Sequence, residues 1–288
     1  MMMKFKLSAS VLAIASLMAC TGGNQKENTS VLSDSTRIVS LNGALSEIIA
    51  GIGLEKNIVG TDVTSAYPES LKSKPKVGHN RNINAEGVLA LKPNLVVALQ
   101  KDLPAAVQEQ FKSAGVRLLL LDQKYSVAGA KNLIQSVSDS LGRKAQGDSL
   151  LRILGTQLEQ AKIAVQNVKK LKVLFIYARG VGTMMVSGTG TQVGKMIELA
   201  GGQNAITGFA DYKPLTAEAL VEANPDVILL FDDGLESLGG TKGLAGVQGI
   251  KQTNAGKNNK VITMKGDLLT SFGPRLGIAV KELAEKLK

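Results

Sequence analysis

Histidine occurs once in these 288 residues, at position 79, and cysteine once, at position 20. That scarcity restricts the chemistry. One imidazole can ligate one metal centre or move one proton, but it cannot form a multi-histidine metal cage or a bis-histidine haem. One thiol excludes an internal disulfide and any cysteine-rich zinc or iron–sulfur site, and no Cys-x-x-Cys-His is present for a covalent c-type haem. An enzymatic reading needs a carboxylate for His79; Asp62 and Asp102 are the obvious ones, and no spacing supports either pairing. The glycine-rich stretch 180–194 is a near miss for phosphate binding. Its Gly188-x-Gly190-x-x-x-Gly194 departs from the dinucleotide spacing, and Gly194-Lys195 lacks the first Gly and the following Ser/Thr of a Walker motif. These glycines read as turn residues.

Cys20 has a context of its own. Lys4 and Lys6 precede the apolar run Leu7 to Ala19, a charged region and a hydrophobic core too short to span a membrane. The run Leu17-Met18-Ala19-Cys20 resembles a bacterial lipoprotein lipobox, which implies a signal over residues 1–19 and acylation of Cys20. Residues 20–36, rich in Gly, Asn, Ser, Lys and Glu, read as a flexible tether. The expectation is an exported protein, lipid-anchored at the bacterial cell envelope, on the periplasmic side or the cell surface. Lys and Arg number 34 against 24 Asp and Glu, a formal charge of +10, or about +8 without the signal's two lysines. Export, an aromatic content of 3% and the lack of a long basic block argue against a nucleic-acid partner.

Positioning these groups takes a folded chain, and 44% hydrophobic residues supply its core. The patterning alternates strand and helix: Ile38–Leu41, Ile58–Thr61, Leu95–Leu99 and Val116–Leu121 as strands, with helices from Ala44, from Ala85, and over 104–114 and 127–141. The continuous apolar runs at 95–99 and 116–121 predict strands buried on both faces of a parallel sheet. Residues 144–169 contain no Pro and carry Leu150, Leu151, Leu154, Leu158, Ile163 and Val165 along one stripe, a helix of about 39 Å. Strands near 172–177 and 226–231 follow. The segment Ile83 to Val97 aligns without gaps on Leu215 to Leu229, matching Ala85-Glu86 to Ala217-Glu218 and Pro93 to Pro225. A weaker echo pairs Val39-Ser40 with Val186-Ser187. Together these predict an α/β protein of two Rossmann-like lobes, each with a central, mostly parallel sheet, at 37–142 and 171–288. One long rigid linking helix at 143–170 joins them.

The same segments carry a family resemblance. Arg37-Ile38-Val39-Ser40, the stretch Val77 to Gly87, Ala90-Leu91-Lys92-Pro93 and the stretch Ala200 to Ala205 resemble the haem-binding proteins of bacterial ABC importers. So do Phe209 to Leu215 and Phe272-Gly273-Pro274-Arg275. That family belongs to a two-lobed binding-protein group that also includes cobalamin and ferric-siderophore binders. The resemblance implies haem as a transported ligand between the lobes, no catalytic cofactor, a monomer, and an ABC permease with its ATPase as partner. It places His79 where the family has an iron-ligating Tyr, with Tyr212 and Tyr177 as fallback ligands. Where some members supply a second ligand, a His, this chain has Arg179. Arg81 matches an Arg that contacts haem, and Arg179, Lys213 and Arg275 are further cations for the propionates or cleft. Glu86 and Glu218 match the glutamates that dock each lobe on the permease. The alternative is the same role with cobalamin or a ferric siderophore as cargo. A chelatase-like enzyme is the more distant one.

Overall fold

The computed structural model describes residues 35–79, 82–166 and 168–288. The expected signal, most of the expected tether, Cys20 and Arg81 lie outside them. The first half runs β1 (Ile38–Ser40), α1 (Gly43–Ile49), β2 (Ile58–Thr61), β3 (Gly78–His79), β4 (Asn82–Ile83), α2 (Ala85–Leu89), β5 (Leu95–Leu99), α3 (Ala105–Ser113), β6 (Arg117–Leu121) and α4 (Val127–Ser140). Then comes α5 (Lys144–Val165). The second half runs β7 (Lys172–Ala178), β8 (Met184–Ser187), α6 (Gln192–Leu199), β9 (Gln203–Asn204), β10 (Tyr212–Pro214), α7 (Ala217–Ala223), β11 (Val227–Phe231), α8 (Asp232–Ser237), α9 (Gly240–Ala245), α10 (Asn254–Lys257), β12 (Val261–Met264), α11 (Gly266–Leu269) and α12 (Leu276–Lys286).

Two large sheets result, one in each lobe, besides the two-stranded pair β3-β4. The first is parallel with order β2-β1-β5-β6; the second is mixed, β10-β8-β7-β11-β12, with β9 also on β7. All five residues of β5 are buried, as a central parallel strand requires. In β6 only Leu121 is buried, because the strand lies at the sheet edge, where one flank has no neighbour to cover it. Its apolar run thus misstates its burial.

The longer repeat falls on equivalent places. Asn84 caps α2 by accepting from the Glu86 N–H at 2.9 Å, and Thr216 caps α7 by accepting from the Ala219 N–H at 3.1 Å. Lys92 and Asn224 then take left-handed φ values of 48° and 39° before Pro93 and Pro225. The following strands, β5 and β11, lie between β1 and β6 and between β7 and β12. The weaker echo does not hold in this way. β1 pairs parallel with both neighbours, while β8 pairs antiparallel with β7 and β10, so Val39-Ser40 and Val186-Ser187 occupy unlike strands.

Helix α5 spans 22 residues, ending four short of the expected stop, and packs along α12 and α4. Its buried line is Gly147, Leu154, Ala161 and Ala164, whereas Ile163 is 66% exposed. Leu150, Leu151, Leu158 and Val165 also pack against this core, so of the expected stripe Ile163 alone points away.

Candidate functional site

The lobes meet at the carboxyl ends of their sheets, the edge where open α/β sheets bind ligands. In the first lobe the contact residues Ala44, Glu47, Tyr67, Gln123 and Tyr125 all follow strand ends. They meet a single stretch after β12. Gln123 Nε2 donates to the Phe272 carbonyl at 3.3 Å, and the Tyr125 and Phe272 rings lie 5.3 Å apart. Arg275 forms the strongest tie. Its Nη2 lies 2.5 Å from Glu47 Oε1 and 2.9 Å from Asp267 Oδ2, and its Nε lies 3.0 Å from Glu47 Oε2. Burial pushes the Glu47 carboxyl up, opposed by the Arg275 guanidinium, while the two carboxylates hold that guanidinium protonated. With a side chain only 12% exposed, Arg275 is committed to these partners. It is therefore a clasp between lobes, which corrects its expected place among the free cations of the cleft.

His79 stands exposed on the two-stranded hairpin of β3 and β4, opposite Asn82. Gly78 before it has φ +106°, and a Cβ there would lie 3.1 Å from the Asn82 carbonyl oxygen, so only glycine fits this turn without strain. The hairpin is tied to the carboxyl end of β2: Val77 N–H donates to the Thr61 carbonyl at 3.0 Å, and Val63 N–H to that of Gly78 at 2.9 Å. Beneath it, buried Asp62 accepts from the hydroxyls of Ser65 and Thr64 and from the Thr64 N–H. Burial pushes the Asp62 carboxyl up; those hydrogen bonds and, last, the charge of nearby His79 draw it back. Lys76 Nζ reaches Thr61 Oγ1 and the Ser65 and Leu71 carbonyls at 2.7–3.0 Å, pinning the loop between.

In the second lobe Tyr177 lies near the carboxyl end of β7, half-buried and edge-on to Phe231 at 6.2 Å. Arg179 Nε donates to its phenol oxygen, and the guanidinium sits 5.7 Å from the ring centre. Tyr212 pairs with Ser187, whereas Tyr177 pairs with Met185. The register thus sets Tyr212 about two residues, or ~7 Å, further from the carboxyl edge. Strand alternation turns Lys213 to the opposite face from Tyr212, and its Nζ rests 4.7 Å above the Phe209 ring. Glu86 and Glu218 are both exposed in the first turns of α2 and α7. Each helix runs back from the carboxyl edge, so both carboxylates are presented on the cleft-opening side. A groove of about 550 Å³ between α2 and α3 is lined in part by Glu86, and one of about 440 Å³ is lined by Met184, Leu215, Val247 and Ala217, the residue before Glu218.

The partners that sequence reasoning missed are Glu47 and Tyr67. Both meet Arg275 from the other lobe, far away in the chain, and no local spacing marks either.

Comparison with known proteins fits this architecture. The ABC transporter substrate-binding lipoprotein YvrC of Bacillus subtilis is 28% identical over 265 residues, covering 91% of this chain and 82% of YvrC. The periplasmic heme-binding protein RhuT from Roseiflexus sp. RS-1, solved in its apo form, superposes with a TM-score of 0.83 at 36% identity, covering 88% of this chain and 98% of RhuT. The heme-binding protein HmuT gives 0.82 at 33% identity, covering 88% of this chain and 85% of HmuT. HmuT has also been solved with one Arg, one Tyr or one His replaced by Ala, the Arg two positions after the Tyr, as Arg179 follows Tyr177 here. Residues 38–268 match the family described as periplasmic binding protein, and the chain belongs to that family as the substrate-binding component of an ABC importer.

Proposed function

We propose that this substrate-binding protein captures haem between its lobes, with His79 as an axial ligand of the iron. One observation carries the reading: the only imidazole of the chain stands exposed, on a glycine-dependent hairpin, at the edge where the lobes meet. Haem needs apolar walls, an axial ligand and cations for two propionates. Tyr177 suits the opposite axial position better than Tyr212, since it lies nearer the carboxyl edge. A phenolate favours ferric iron. The outer nitrogens of Arg179, with Arg81, would neutralise propionates; Lys213, on the far face of its strand, is less suited.

The chain divides under this reading into the signal at 1–19, a tether at 20–36 with lipid on Cys20, lobes at 37–142 and 171–288, and the linking helix at 143–170. Glu86 and Glu218 dock the two lobes on a permease, which their equivalent exposure and neighbouring grooves support. A linking helix and the Arg275 clasp favour a small hinge opening over a wide closure.

An absorbance titration of the mature protein with hemin, beside His79→Ala, tests the cargo. Haem binding through the imidazole gives a saturable Soret shift that His79→Ala alters or abolishes. An identical shift in the variant moves ligation to the tyrosines. No specific shift in the wild type removes haem and leaves cobalamin or a ferric siderophore as cargo.

A further inference from the structure

Seven large apolar side chains are exposed among the described residues, and two of them, Val63 at 49% and Tyr67 at 46%, share one short loop. Exposed apolar groups that cluster beside a cleft call for a partner surface. This loop leaves the carboxyl end of β2 and is bonded to the histidine hairpin, because the Val63 N–H donates to the carbonyl of Gly78, the residue before His79. Asp62 and Lys76 hold it from below through Thr64, Ser65 and the Ser65 carbonyl. It is therefore not a loose loop whose exposure is incidental.

Tyr67 is held from the other lobe as well. The Arg275 guanidinium carbon lies 3.8 Å from the ring centre, and Arg275 is itself fixed by Glu47 and Asp267. A cation over one face fixes the ring and leaves its remaining surface to the cleft. An aromatic ring with this little freedom costs little entropy when it is covered.

We propose that Val63 and Tyr67 form the apolar wall on the His79 side of the cleft and select a flat tetrapyrrole face. The Glu47–Arg275–Asp267 cluster acts as the positioning group for Tyr67. This rests on the haem reading above. A planar macrocycle ligated by His79 must lie against whatever adjoins the hairpin, and these two side chains are the exposed apolar groups joined to it. Tyr67 contributes area through its ring; its hydroxyl is not needed.

Hemin titrations of the wild type, Tyr67→Phe, Tyr67→Ala and Val63→Asp test this, with the Tm of each variant measured alongside. Tyr67→Phe is expected to bind within about three-fold of the wild type, and Tyr67→Ala and Val63→Asp about ten-fold or more weakly. Val63→Asp leaves the Arg275 stack intact, so it tests the same wall even if Tyr67→Ala fails to fold. Wild-type affinity in a folded Tyr67→Ala and in Val63→Asp overturns the wall while leaving haem as cargo. A wild type that binds no hemin overturns both, and is told apart by the first titration alone.

Discussion

The two halves of the repeat solve one backbone problem with different charges. In each, the first strand of the sheet begins with an N–H that needs an acceptor, and the residue after the repeated Pro supplies it. Asn94 Oδ1 takes the Arg37 N–H at 2.9 Å, and Asp226 Oδ2 takes the Lys172 N–H at 3.0 Å. Around that shared bond the partners diverge. In the first lobe Arg37 reaches back to the Leu91 and Lys92 carbonyls and so covers the end of α2. In the second lobe an amide stands there instead among the described residues: Asn254 donates to Asp226 Oδ1 and to Asn224 Oδ1. One lobe pairs a neutral acceptor with a cation, and the other pairs an anion with an amide. Geometry persists where the backbone demands it, and charge drifts where several side chains can satisfy it.

What couples these halves is the clasp, and breaking it should have the largest effect. Arg275→Met would leave Glu47 and Asp267 facing each other without a counter-charge at a buried contact. The loss is expected at about 3–5 kcal/mol. Denaturant melts followed by far-UV and tyrosine signals would read it, and the two lobes are then expected to unfold at separate midpoints. A single transition with less than about 1 kcal/mol lost would show that α5 and α12 alone couple them.

A sharper contrast lies in how each lobe presents its proposed iron ligand. Tyr177 sits on a seven-residue strand of the main sheet, while His79 depends on a two-residue strand and the left-handed Gly78. Gly78→Ala is therefore expected to cost about 1–2 kcal/mol. Its effect should concentrate in the first lobe, weakening hemin binding and speeding amide exchange over 76–83 while the exchange of β7 stays unchanged. Equal loss of protection in both lobes would contradict that localisation.

Legibility in the sequence follows the same divide. The α/β order, the long helix and the repeated cap, Pro and strand were readable because each is written in neighbouring residues: Asn84 with Glu86, Thr216 with Ala219, a Pro nine positions after each cap. His79 stands out in the sequence because it is the one imidazole there. Arg275 was misread because its partners, Glu47 and Asp267, come from different lobes and nothing local separates a clasping arginine from a free one. Ile163 was misplaced because it falls off the face that buries Leu154, Ala161 and Ala164. The exposure of Val63 and Tyr67 became meaningful only once the loop was seen tied to the hairpin.

Charge divergence in the repeat can be tested by exchange. Asp226 is held below the usual carboxylate range, chiefly by the Lys172 N–H and then, against a burial penalty, by Asn254 and nearby lysines. A lowered folded value means stability that is present above the unfolded value near 3.8 and is lost as pH falls through the folded one. Asp226→Asn is expected to cost about 1 kcal/mol at pH 7, the worth of one partly exposed hydrogen bond, and almost nothing near pH 2. Asn94→Asp should do the reverse, adding a few tenths at pH 7 beside Arg37 and a new acid-sensitive limb. Urea melts at pH 7 and pH 2 would check both, and a pH-independent Asp226→Asn loss would show that charge has no share in the bond.

The smallest effect concerns the residues just before the repeated prolines. Lys92 and Asn224 share the left-handed backbone, at φ 48° and 39°, but only Asn has a short side chain that tolerates it. Replacing Lys92 by Gly removes about 1 kcal/mol of strain, offset by roughly 0.5 kcal/mol of extra freedom in the unfolded chain. The Arg37 bonds go to the carbonyls of Leu91 and Lys92, so the substitution leaves them in place. A net gain of about 0.5 kcal/mol is expected, a rise of roughly 1–2 °C in Tm for a chain of this length. Asn224→Gly starts with less strain to relieve and also gives up the acceptor that Asn254 uses, so it should be neutral or slightly destabilising. Opposite signs at two positions with one backbone geometry would place the difference in the side chain, and equal gains would place it in the turn itself.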